Sequence, residues 1–244
     1  MRRLALCTAL VTLALAATAV AGASHPVATL SVDPNTAGKP STATLDVSPP
    51  TAGQNPRAIV LRVVRGVKFD PRSRAVKCTK AQASANNCPA GSRIGGGTTK
   101  ATVTSDTNAF PPQKIKLTVD LFLMPPLKQG DLAGSVAHFK VTATGQEGHA
   151  FGRVTKIPQG KFGIQTRFAK LDTALTPPAG TRAHIDHLHL TFGAKRTVQK
   201  NGKPVTHHLI TNPKTCNGTW PYQVICEYAA GGNVVVDRSG PCKP

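Results

Sequence analysis

The residues best placed to do chemistry are the histidines of Arg182-Ala183-His184-Ile185-Asp186-His187-Leu188-His189, with a second pair at His207-His208. In an extended strand, side chains at i and i+2 project side by side from one face. His187 and His189 therefore present neighbouring imidazoles, which is what a zinc or copper site on a β scaffold needs. If strands around 183–192 and 205–211 pair through the Asn201-Gly202 turn, His189 falls near His207 and a third ligand is at hand. On this reading His184, Asp186, His187 and His189 centre a metal-dependent extracellular enzyme or a metal-binding protein. The competing reading makes them wet positions of an antiparallel sheet, and surface histidines far outnumber ligands.

Other catalytic patterns fail on their chemistry. Only nine Asp and two Glu (Glu147, Glu227) are present, mostly isolated, so no converging carboxyl pair of the glycosidase kind stands out. Gly95-Gly96-Gly97-Thr98-Thr99-Lys100 lacks the G-x-x-x-x-G-K-[ST] order and leads into no helix, so it reads as a flexible lead into a strand. Ser92 sits in no strand-to-helix elbow. These patterns imply no catalytic residue and no resident cofactor.

Charge is the stronger clue. The chain carries 30 Lys+Arg against 11 Asp+Glu. Without Arg2 and Arg3 the balance is 28 against 11, net +17. Arg57, Arg62, Arg65, Lys68, Arg72, Arg74, Lys77 and Lys80 face Asp70 alone between 57 and 80. Such a field attracts polyanions and weakens with salt. Arg62, Arg65, Lys68, Arg72, Arg74 and Lys77 are thus candidate contacts to an anionic cell-wall polymer or another anionic surface. Sequence-specific nucleic-acid recognition is not expected, because aromatic residues make up only 5% and no reader motif occurs.

The elements that must hold these side chains are strands. Ala43, Leu45 and Val47 alternate with Thr42, Thr44 and Asp46; Ile115 to Leu123 alternate with Lys114, Lys116, Thr118 and Asp120. Ala137 to Ala143, Phe162 to Phe168 and Leu188 to Phe192 repeat the pattern, while Ile59 to Val64 is apolar on both faces and reads as a central strand. Pro49-Pro50, Pro111-Pro112, Pro125-Pro126, Pro177-Pro178 and Asn201-Gly202 punctuate them. About a dozen short strands imply an all-β, antiparallel β-sandwich, Ig-like in style. A single domain over 24–244 is expected, with 105–112 as the boundary if two sub-domains exist.

Met1-Arg2-Arg3, the uncharged apolar stretch Leu4 to Val20 and the A-x-A site Ala21-Gly22-Ala23 form the three parts of a secretory signal peptide over 1–23. No later segment has the length of a transmembrane span. The expected location is outside the cell, secreted or wall-associated, where cysteines oxidise. Five then remain. Cys78 and Cys88 enclose a short polar loop with Thr79 as a helix N-cap, which suits a local bridge. Residues 219–228 and 233–238 read as a hairpin around Gly231-Gly232. Cys216 precedes it and Cys242 follows it, so they pair. Cys226 alternates with Trp220, Tyr222, Val224 and Tyr228 and is expected as a buried free thiol. Zinc is disfavoured at these cysteines because no close C-x-x-C occurs.

Gly66-Val67-Lys68-Phe69-Asp70, then Cys78, then Cys88-Pro89-Ala90-Gly91-Ser92-Arg93-Ile94-Gly95-Gly96-Gly97, resembles a family of uncharacterised secreted β-rich proteins of high-GC Gram-positive bacteria. The segment Pro213 to Pro221 and the final Cys242 extend the likeness, from which Cys226 departs. The resemblance implies an exported β-rich domain and carries no activity to transfer. Together these readings point to a non-enzymatic exported protein that adheres to anionic material.

Overall fold

The computed structural model describes residues 27–49, 56–105, 107, 109–174, 180–228 and 232–244. The expected signal peptide and the turns at Pro177-Pro178 and Gly231 lie outside these residues. Alternating sequence becomes strand in chain order: β1 (Val27–Asp33), β2 (Thr42–Ser48), β3 (Pro56–Val64) and the short β4 (Lys68–Phe69). One helical turn, α1 (Lys80–Ser84), follows. Its start is set by a capping box: the Thr79 hydroxyl accepts from the Gln82 amide, and the Gln82 side chain accepts from the Thr79 amide.

Five long strands come next: β5 (Arg93–Ser105), β6 (Gln113–Met124), β7 (Ala133–Val141), β8 (Glu147–Lys156) and β9 (Phe162–Ala169). After them lie β10 (Thr181–Phe192), β11 (Lys195–Lys200), β12 (Lys203–His208), β13 (Ile210–Thr211), β14 (Thr219–Tyr228) and β15 (Asn233–Pro241).

The fold is all-β and antiparallel. Its main sheet has eleven strands in the order β1-β2-β10-β5-β6-β7-β8-β9-β3-β14-β15. Strand β3 is internal to it, as its run of buried residues requires. The 105–112 segment joins β5 to its hydrogen-bonded neighbour β6. One large apolar cluster draws side chains from strands across the whole sheet, among them Ala28, Leu45, Leu61, Leu121, Leu190 and Val236. The two facing layers of the sandwich are therefore opposite arcs of one curled, barrel-like sheet. Full burial of each aliphatic side chain contributes roughly 1.5–3 kcal/mol.

Curling demands a tight corner, and the Gly95-Gly96-Gly97 run supplies it inside β5 rather than ahead of it. A Cβ on Gly97 would overlap the His189 carbonyl oxygen of neighbouring β10, and one on Gly95 would overlap that of Thr191. Only glycine lets the two backbones approach so closely.

The sheet edges β1 and β15 meet without a ladder among the described residues. They run parallel, as an odd count of antiparallel strands requires on closure. One end of the seam is clasped by a parallel bridge, Thr36 to Lys243, and by Ala37 N donating to Lys243 O at 2.9 Å. Asn35 Nδ2 donates to Pro241 O at 3.3 Å. Further in, the Tyr222 hydroxyl reaches the Ala28 carbonyl at 3.4 Å.

Both expected bridges form. Cys78–Cys88 spans 5.1 Å and Cys216–Cys242 spans 5.9 Å between Cα atoms. Cys226 is free and 2% exposed. Burial pushes its thiol up to about 11. The Asn201-Gly202 turn has both central residues at positive φ and closes β11 onto β12 as a separate two-stranded sheet.

Candidate binding site

Inward-facing side chains of the curled sheet do not meet at its centre. Between them lies a cavity of about 210 Å³. Apolar cavities of about 150 Å³ already admit a molecule the size of benzene. The wall is almost wholly aliphatic and aromatic, and among the described residues no charged side chain lines it. Leu61, Leu121, Ala137, Phe168, Leu190 and Tyr222 represent six different strands on it.

The space exists because small residues occupy inward positions of β7 and β8. One continuous row across the sheet runs Leu123, Ser135, Gly152, Phe168, Ile59 and Cys226, each directly opposite the next. A Cβ on Gly152 would overlap the Ser135 hydroxyl and come within 2.7 Å of the Phe168 ring. Gly152 thus lets Phe168 lie across β8. The Ser135 hydroxyl is buried there with no hydrogen-bond partner among the described residues, in a residue 3% exposed that also lines the cavity. Sequence reading missed this row; its one signal was Gly148-His149-Ala150-Phe151-Gly152, small residues at alternate positions.

The cavity reaches the β1–β15 seam. Ser31 alternates outward from Leu30 and Val32, yet it lines the cavity, as do Asn35, Gly240 and Pro241. Val27 and Val235, on the two edge strands, are 59% and 49% exposed. Arg238 stands opposite Tyr222 in the β14–β15 register, on the inner face, but its side chain is exposed.

The histidines take up a different arrangement from the expected one. Strand β10 has both edges filled, by β2 and β5, so it has none left for β12. Consequently β12 pairs with β11, and His207 donates through Nδ1 to Asp70 Oδ2 at 2.9 Å, whereas His189 bonds Asp46. A bulge between Ile185 and His187 keeps His184 and His187 on one outer face. His189 Nδ1 lies 2.7 Å and His187 Nε2 3.6 Å from Asp46 Oδ1, while Asp186 is held by Thr102 at 2.7 Å and His184 at 3.1 Å. Among the described residues no group of three His, Cys, Asp or Glu side chains could hold a metal ion.

The basic residues of 57–80 are spread over several elements. Arg62 donates to Gln165 at 2.8 Å and Gln223 at 2.9 Å on the outer face of β9-β3-β14. Arg65 donates to the carbonyls of Gly160, Ile157 and Phe162, bracing the turn between β8 and β9. Arg72 pairs with Asp70 at 2.8 Å, which holds that carboxyl well below its ordinary value, and Arg74 donates to Arg93 O. Lys68 is exposed and Lys77 half-buried. Elsewhere, Lys100 of β5 faces Lys116 of β6 directly, both exposed, with Lys114 two pairs further along on the same face. The β11–β12 hairpin carries Lys195, Arg196, Lys200 and Lys203 and no acidic residue.

Among the described residues Asp131 is the most deeply placed carboxylate in an ion pair. Its side chain is 0% exposed and takes a fork from Arg153 at 2.6–3.1 Å and the Lys128 amide at 2.9 Å. Arg153 holds its carboxyl below the ordinary range. No helix among the described residues is long and apolar enough to cross a membrane. Comparison with family models, with curated proteins and with solved structures finds no match to this chain.

Proposed function

We propose that this is a non-enzymatic exported binding protein that carries an apolar ligand inside its curled sheet. The observation that carries the reading is the 210 Å³ cavity with its uncharged, largely aliphatic wall. Folding leaves such a space open at a cost, since unfilled apolar volume forfeits packing contacts. Ligand sites of this kind are concave, apolar and preformed, with few polar groups. Two disulfides support an oxidising compartment, in line with the signal-peptide reading of 1–23 and with the resemblance to secreted β-rich proteins.

Titration with the neutral fluorophore N-phenyl-1-naphthylamine tests it. Saturable binding at one site is expected, and Ala137→Leu, which fills the cavity, weakens it while circular dichroism stays native. Absence of saturable uptake by the wild-type chain overturns the reading.

A second reading concerns the outside. Like charges directly opposite in a sheet repel, and Lys100 against Lys116 is such a pair. Binding an anionic polymer relieves that repulsion, so we propose the outer face of β5–β6 as a contact for anionic wall material. This keeps the polyanion reading but adds a surface to the 57–80 set.

A further inference from the structure

We propose that the ligand is an anionic amphiphile, its chain inside the cavity and its head at Arg238 in the β1–β15 seam. The proposal rests on the cavity being a site for an apolar ligand, and it names the ligand's other end.

Strand register carries the argument. Across β14–β15, Trp220 faces Gly240, Tyr222 faces Arg238, and Val224 faces Val236. Directly opposite residues share a face, so Arg238 belongs to the inner set. Its companions Trp220, Tyr222 and Gly240 line the cavity and Val236 is buried. Arg238 is the charged member of this set, and it is exposed. A long aliphatic stem can run along apolar surface while its head stays in water. An edge strand beside an unladdered seam gives the head a way out.

Among the described residues the guanidinium makes one hydrogen bond. Its hydrogen bond is a long one, 3.4 Å, to the carbonyl of adjacent Asp237. The Asp237 carboxylate itself faces the other way, held by Gln223 at 3.1 Å and Lys161 at 3.3 Å on the outer face. Among the described residues no carboxylate pairs with Arg238.

The wall excludes the alternative of a buried anionic group. Among the described residues no charged side chain lines the cavity, and an unpaired charge inside it would lose its hydration without compensation. A neutral chain fits within and an anion fits at the rim. Ser31 and Asn35, in and just after edge strand β1, line the cavity and offer further polar atoms. The net basic surface raises the local concentration of such ligands.

The test is displacement of N-phenyl-1-naphthylamine from the full chain by decanoate, decyl phosphate and 1-decanol, at low ionic strength and below micelle formation. Arg238→Gln is expected to weaken at least one of the two anions about tenfold and to leave 1-decanol unchanged, as loss of one charge-assisted hydrogen bond would. Arg238→Lys should restore most of the difference. A larger loss for decanoate identifies a carboxylate lipid; a larger loss for decyl phosphate identifies a phosphate head. Unchanged affinity for both anions, equal weakening of 1-decanol, or an equal effect from Lys203→Gln on the distant hairpin overturns the proposal. Failure of every probe to bind the wild type overturns the cavity reading instead.

Discussion

The Tyr222 hydroxyl donates to the Ala28 carbonyl at 3.4 Å, reaching from the inner face of β14 to the far edge strand of the same sheet. It bridges a seam that has no ladder bonds among the described residues. The neighbouring Cys216–Cys242 bridge closes a loop with a sequence separation of 26. It ties the end of β15 to the lead-in of β14.

Replacing Cys216 and Cys242 by Ser should therefore cost about 3.5 kcal/mol by loop entropy, against about 2.5 for the Cys78–Cys88 pair. The two losses should differ in location as well as size. Hydrogen exchange should quicken at β15 and β1 in the first variant and stay native there in the second. Equal protection changes at the seam would contradict the role assigned to Cys216–Cys242.

Acid should unfold the protein through Asp131 and Arg153. The Arg153 fork keeps the folded Asp131 carboxyl below its unfolded value near 3.9. The resulting stability is present above that value and is lost as pH falls through the folded one. Urea denaturation between pH 5 and pH 2 should show falling stability, with Asp70 (held low by Arg72) and Glu227 (held low by Arg167) adding the same sign. Asp131→Asn should flatten this slope. Parallel curves for variant and wild type would sink the assignment.

Cys226 should stay silent toward Ellman's reagent at pH 8 in the native state and react after unfolding. With its thiol pushed up to about 11 and 2% exposed, it is neither ionised nor reachable. Cys226→Ser should cost about 1–3 kcal/mol, because a buried hydroxyl is left among Ile59, Val234 and their neighbours. Peptide mapping should find both bridges intact in that variant.

Gly152→Ala and Ser135→Ala should move stability in opposite directions. The first drives a methyl group into the Ser135 hydroxyl and the Phe168 ring, costing about 1–3 kcal/mol. The second removes a buried hydroxyl without a partner and should stabilise by roughly 1 kcal/mol. Thermal denaturation of the pair decides it; a loss of stability in Ser135→Ala would mean that the hydroxyl is satisfied.

Retention on teichoic acid or DNA should fall with salt. Lys100, Lys114 and Lys116 replaced together by Ser should reduce the log–log salt slope on DNA by about 2–3, as three lost phosphate contacts would. The same change at Arg62, Arg65, Arg72 and Arg74 should alter it less, because those guanidinium groups already serve acceptors of the chain. A larger effect from the arginine set would return the contact to 57–80.

What local sequence determines here is each strand and its two faces. Leu117 to Leu123, Ala43 to Val47 and Trp220 to Cys226 needed only the alternation that puts every second side chain on one side of a pleated backbone. The Thr79 cap, the Asn201-Gly202 turn and the pairing of Cys216 with Cys242 are equally local, being set by neighbours or by one hairpin. Strand order is different. That β10 lies between β2 and β5, so that His189 bonds Asp46 and His207 bonds Asp70, depends on which edges long-range partners have already filled. So does the use of Gly95 and Gly97 as a corner, which is defined only by the strand lying against them. The cavity and the placing of Arg238 at its seam follow from how far one eleven-stranded sheet curls before its edges meet. Curvature is the sum of many small twists and close approaches over residues remote in sequence, so no local pattern carries it.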